Sequence, residues 1–221
     1  MLINVANLED GQSTCALNLA CALSRTDHLC ADRWKGARRV VLFDAEPSRG
    51  TATGYDSGGQ LPVSRDFLPL GDSTIAEWLL RILEIASEVD YLVLDNPPHF
   101  DSIARAILGV SDLVVIPCSA SAADLTAAAA MIEVIGIVRL ARSDGGPKCL
   151  MAPIRGASET ARGDETGEAL RKFGEPVGPA IYPRAAFEDA FAGRWIGDFA
   201  HYSPAHEAAV ALAACVEAVL A

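Results

Sequence analysis

Although 51% of its 221 residues are hydrophobic, the sequence has no uninterrupted apolar run near the roughly 20 residues that a membrane-crossing helix needs. Its N-terminus lacks a basic stretch followed by an apolar segment and a cleavage site, so the chain is expected to be cytoplasmic. Basic residues are few: 18 Lys and Arg stand against 29 Asp and Glu, a formal charge of −11. A field of that sign repels DNA and anionic lipid, so nucleic-acid binding would need a local basic patch. The densest cluster is Arg33, Lys35, Arg38 and Arg39, which reads as a solvated loop. No CxxC pair occurs among the six cysteines (Cys15, Cys21, Cys30, Cys118, Cys149, Cys215). Their apolar neighbours point to reduced, buried thiols, not to a disulfide frame or a zinc site. The four histidines (His28, His99, His201, His206) lack ligand spacing and are expected at the surface or the edge of the core. No G-x-S-x-G elbow is present to support serine hydrolysis. The closing stretch AHEAAVALAACVEAVLA has no basic face with which to lie on a membrane.

What is present is an alternation. Short β-rich runs at 2–6, 39–45, 91–95, 113–118, 149–154 and 179–183 are separated by helical patterns at 13–25, 75–86, 101–109, 122–141, 164–174 and 205–220. The runs are apolar throughout, as strands buried between two helical layers are. This predicts an α/β fold: a doubly wound, mostly parallel sheet with helices on both faces, in a single domain over 1–221. Residues 26–38 and 155–168 read as exposed loops. In such a sheet the site forms at the carboxyl ends of the strands. Three of those ends carry acids or polar loops: Asn7–Thr14, Asp44–Thr53 and Asp95–Asp101.

The first of these, NLEDGQST (7–14), joins a strand to a helix as a phosphate-binding loop does. Such a loop aims backbone N–H groups and a helix N-terminus at phosphate oxygens, with a lysine for the charge and a hydroxyl for Mg²⁺. Gly11 permits close approach, and Ser13 and Thr14 supply hydroxyls, but Gln12 stands where the lysine is needed. For Ser13, Thr14, Asp44 and Asp95 the alternative is plain capping of the following helix or turn.

Together with DAEPSRGTAT, YLVLDNPPHFD, SDLVVIPCSASAADL and ALRKFGEPVGPAIYPRAAFEDAFAGRWIGDF, this loop makes nearly the whole chain resemble the ParA/MinD family of deviant phosphate-loop ATPases. That family positions plasmids, chromosomes and protein assemblies. The resemblance implies a P-loop NTPase-type domain using ATP and Mg²⁺. It would place Asp44 near the attacking water as the catalytic residue and Ser13 and Asp95 on the metal. Gly11, Gln12, Ser13, Thr14 and Arg184 would meet the nucleotide. It further implies a homodimer or pairing with a ParA-like paralogue, and a protein adaptor. DNA is a possible partner that the net charge disfavours, and no membrane partner is expected.

The loop departs from the family's KGGVGKST. Asn7 replaces the signature lysine, Leu8 and Glu9 replace glycines, Asp10 replaces valine and Gln12 replaces the second lysine. An alternative alignment, with Asn7 ahead of the motif, leaves the loop two residues short. Two cations are lost and two anions gained. A carboxylate about 4 Å from a phosphate charge costs on the order of 4 kcal/mol at an effective dielectric near 20. The reading is therefore a ParA-like partition or positioning protein with a degenerate phosphate loop. The alternative is a non-hydrolysing interaction or regulatory module acting beside an active paralogue.

Overall fold

The computed structural model describes residues 1–6, 12–25, 38–45, 63–67, 73–96, 102–154, 165–181, 195–199 and 203–221. In chain order the elements are β1 (Leu2–Val5), α1 (Gln12–Ser24), β2 (Val40–Asp44), β3 (Ser64–Phe67), α2 (Ile75–Glu88), β4 (Tyr91–Asp95), α3 (Ser102–Val110), β5 (Leu113–Cys118), α4 (Ala122–Ala141), β6 (Lys148–Pro153), α5 (Glu165–Arg171), α6 (Ile196–Phe199) and α7 (Pro204–Leu220). The six strands form one sheet in the order β3-β2-β4-β1-β5-β6, and every strand pair is parallel. Strands β2, β3 and β4 lie on one side of β1 and β5 and β6 on the other. The direction of winding thus reverses at β1, where doubly wound sheets build their crevice.

Alternation along the strands explains the unbroken apolar runs. Ile3, Val5, Leu42, Val93 and Val115 pack with Leu17, Leu23, Leu212 and Val216 of α1 and α7. Their neighbours Leu2, Phe43, Leu92 and Leu94 turn to the other face, against Trp78 and Ile82 of α2 and Ile103 and Ile107 of α3. Phe43 meets Trp78 edge-on at 6.2 Å between ring centroids. Further along that face, Val114, Ile116 and Met151 pack on Met131 and Ile135 of α4 and Leu170 of α5. Helix α1 is buried at ten of its thirteen positions, so this central helix is held by packing on all sides. By contrast α2 begins at a reciprocal cap, in which the Thr74 hydroxyl accepts from Glu77 N–H and the Glu77 carboxylate accepts from Thr74 N–H, satisfying two otherwise orphaned donors.

Two expectations require correction. The run at 179–183 is not a sixth strand: Ile181 makes only an isolated bridge to Ile154, as Val177 does to Met151, and 182–183 lie outside the described residues. The sixth strand is instead β3, SRDF, paired with β2. Its polar composition hid it, and polar or charged residues are what an edge strand uses to discourage pairing with another chain. The basic cluster is not wholly solvated either. Arg38 pairs with Glu217, and its side chain is 8% exposed; Arg33 and Lys35 lie outside the described residues. The loop at 155–168 is described only from 165, where α5 begins. Cys15, Cys21, Cys118 and Cys149 are buried thiols outside any disulfide and Cys215 is half-buried, as expected of reduced thiols; Cys30 lies outside the described residues. Of the histidines, His206 is described and lies in the core at 3% exposure, edge-on to Trp195. Among the described residues no helix is long and apolar enough to cross a membrane.

Candidate functional site

The parallel register brings two acids level. Asp44, the last residue of β2, pairs with Asp95, the last of β4, and Asp95 pairs with Val5 at the end of β1. Adjacent strands lie about 4.8 Å apart, and alternation from Leu42 and Val93 turns both carboxylates to the α1 face of the sheet. Both residues are only 4% exposed. Backbone bonds continue past this row: Ala45 N–H donates to Asp95 O at 3.0 Å and Asn96 N–H to Val5 O at 3.2 Å. The sheet therefore fixes the two acids side by side at the carboxyl ends of its inner strands.

Helix α1 starts beside them. Gln12 is its first residue and is buried, while Ser13 and Thr14 are half-buried. The Asn18 amide donates to Thr14 O at 2.9 Å, holding the first turn. Cys15 registers the neighbouring charge. Burial first and Asp95 second push its thiol up to about 12, because both disfavour a thiolate. Cys15, the residue after the Ser13–Thr14 pair, therefore feels the charge of Asp95.

Two carboxylates one strand apart, with hydroxyls at a helix N-terminus, form an oxygen donor set. Mg²⁺ is commonly held through one or two carboxylates together with phosphate oxygens, and this arrangement fits that role for Asp95 and Ser13. Among the described residues no group of three or more His, Cys, Asp or Glu side chains gathers as a metal site. The N-terminus of α1 supplies the partial positive charge that anions favour. Gln12 adds no charge to it: a buried neutral amide occupies the first helical position. Asn7, Leu8, Glu9, Asp10, Gly11 and Arg184 lie outside the described residues.

Asn4, missed by the site reading, is fully buried, and among the described residues neither atom of its amide has a hydrogen-bond partner, nor has the amide oxygen of Asn96. An asparagine inside the apolar run LINVA was visible in the sequence, but alternation places Asn4 with Leu2 on the face away from α1. It therefore does not join the two acids. A cavity of about 350 Å³ lined by Met1, Asp112, Arg142, Asp144 and Lys148 opens at the other end of the strands. Its cations are engaged: Arg142 with Asp144, and Lys148 with the last carbonyls of α7.

No family model and no curated protein matches the chain by sequence. Solved structures do match in fold. A ParA family ATPase from Chlorobium tepidum aligns at 17% identity over 96% of this chain and 97% of its own, with a TM-score of 0.69. The septum site-determining protein MinD of Pyrococcus horikoshii, complexed with Mg-ADP, aligns at 14% identity over 98% and 95%, with a TM-score of 0.74. A plasmid partition protein of Borrelia burgdorferi bound to AMPPNP aligns at 16% identity over 99% and 98%, with a TM-score of 0.69. The chain has the ParA/MinD-type α/β fold, with alignments that cover 96–98% of it.

Proposed function

We propose that this chain is a ParA/MinD-like positioning protein whose nucleotide site has lost most of its anion-binding capacity, so that it binds ATP weakly and hydrolyses it little or not at all. The observation that carries the reading is the pairing of level acids, Asp44 and Asp95, with the buried amide of Gln12 at the head of α1. The half of the site that holds a cation and a water survives, and the half that holds phosphate charge is depleted. Bound Mg-ATP would supply the phosphoanhydride bond and the metal that polarises it. Toward it, Ser13 and Asp95 would hold the metal and Thr14 would donate to phosphate. Asp44 would orient the water. Gln12 would donate a neutral hydrogen bond where a lysine gives a charge-assisted one, roughly half as strong.

The likeness to the partition and septum-site proteins supports a role in positioning a cargo through a protein adaptor. An active ATPase is the second reading, favoured by the retention of both acids. Equilibrium titration with a fluorescent ATP analogue, with and without Mg²⁺, separates the two. Weak binding, with a Kd on the order of 100 μM or above, supports the depleted site. Micromolar or tighter binding that needs Mg²⁺ and is lost in Asp95→Asn supports the active one.

A further inference from the structure

Two buried side-chain amides stand on the back of the strands that carry the acidic row. Asn4 lies inside β1, between β4 and β5, and is 0% exposed; Asn96 is the residue after β4 and is 4% exposed. Among the described residues, Asn4 Nδ2, Asn4 Oδ1 and Asn96 Oδ1 make no hydrogen bond. Buried polar atoms are paired almost without exception, because an unpaired one forfeits the bonds it made to water. Leucine or valine at either position would avoid that cost, so three such atoms on two residues call for a shared partner.

The register brings the two amides together. Asn4 pairs with Leu94, and Asn96 N–H donates to Val5 O, so the ladder runs on past Asp95 and sets Asn96 beside Ala6. Alternation from Leu2, Leu92 and Leu94 turns both amides to the face away from α1. They stand on a diagonal, one strand apart and two residues along, at a Cα separation of roughly 8 Å. Side chains that rise from a sheet keep about that spacing, which is too long for one hydrogen bond and suits two in series. Ala6 shares their face and fills little of the space between them. The remaining neighbours are apolar: Leu94 and Val114 flank Asn4, and Ile103, Ile107 and Leu108 of α3 belong to the same clusters.

We propose that Asn4 and Asn96 form a binding site for one internal water. The water accepts from Asn4 Nδ2, donates to Asn4 Oδ1 and donates its second proton to Asn96 Oδ1. Three bonds are the usual complement of a buried water, and they satisfy all three atoms. The setting selects this ligand: an ion would be desolvated among apolar side chains and neutral amides, and the burial of both residues closes the site to larger molecules from solvent. The bridge ties β1 to the residue that leaves β4 directly after Asp95, holding from behind the strand end whose front carries that acid. It is independent of any nucleotide.

Magnetic relaxation dispersion of the water oxygen nucleus counts waters held inside a protein for longer than it tumbles. Asn4→Leu and Asn96→Leu should each release one such water relative to the unmodified chain, and the double variant should release one, not two. Thermal melts give a second readout. Asn4→Leu strands Asn96 Oδ1, so Asn96→Leu should cost at least about 2 °C less in Tm in that background than in the unmodified chain. A high-resolution crystal structure of the unmodified chain should show one water about 2.7–3.2 Å from all three atoms, and it decides the matter even where a variant fails to fold. An unchanged water count in the single variants would overturn the proposal, as would two waters lost in the double variant or additive shifts in Tm. A crystal structure in which the amides bond to each other or to another side chain would overturn it too.

Discussion

Replacing Glu217 with alanine probes how the last helix is tied to the sheet. Glu217 receives a charge-assisted hydrogen bond from Arg38, at the edge of β2 and 179 positions away in sequence. The two side chains are 15% and 8% exposed, and the Arg38 guanidinium also lies 5.3 Å from the centre of the Tyr91 ring. Such a pair gains little over an apolar pair of the same shape, but removing one member leaves a desolvated charge behind, at a cost of about 3–5 kcal/mol. For a domain of this size each kcal/mol moves Tm by about 2–4 °C, so Glu217→Ala should lower it by roughly 10 °C. Thermal melts followed by far-ultraviolet circular dichroism measure the shift. The double variant Arg38→Met, Glu217→Leu should recover most of the loss, because it removes both charges and keeps the volume. A drop of less than about 2 °C in Glu217→Ala would refute the reasoning, since that is the range of a solvent-screened surface pair.

Three further outcomes are expected. Cys15, Cys118 and Cys149, each buried with its thiol pushed up to about 12, should resist iodoacetamide at mildly alkaline pH in the native protein and react in denaturant, as peptide mapping would show; rapid native labelling of Cys15 would contradict its packing beside Asp95. Duplex DNA should bind weakly at physiological salt, because the net charge is −11 and Arg38 is committed to Glu217. A tight gel shift with a steep salt dependence would point to a basic patch that includes Arg33 and Lys35. At dilute protein concentration, light scattering should detect no change of oligomeric state on adding Mg-ATP, and a shift from monomer to dimer would show that the altered loop still supports nucleotide-driven pairing.

Most of the fold could be read from the residues because burial on both faces leaves a strong mark. LVVIPC and YLVLD have few alternatives to central strands, and they became β5 and β4 at the expected bounds. The edge was harder. SRDF carries little apolar signal because an edge strand has reason to avoid one, whereas PAI at 179–181 carries that signal and makes only an isolated bridge at Ile181. Both errors have the same cause: apolarity reports burial, and burial and strand pairing part company at the rim of a sheet. At the site, Asp44 and Asp95 were identifiable as strand-ending acids, but their alignment in one register row depends on pairing that no local pattern encodes. The long-range partner of Arg38 was equally hidden, so a residue in a basic run could not be recognised as one half of a buried pair.

The proposed depletion of the phosphate site is tested most directly by steady-state phosphate release from Mg-ATP, with the unmodified chain compared with Asp44→Ala. The expected result is turnover at the background rate for both, with Gln12→Lys restoring little because Glu9 and Asp10 remain in the loop. Turnover well above background in the unmodified chain, abolished by Asp44→Ala, would contradict it.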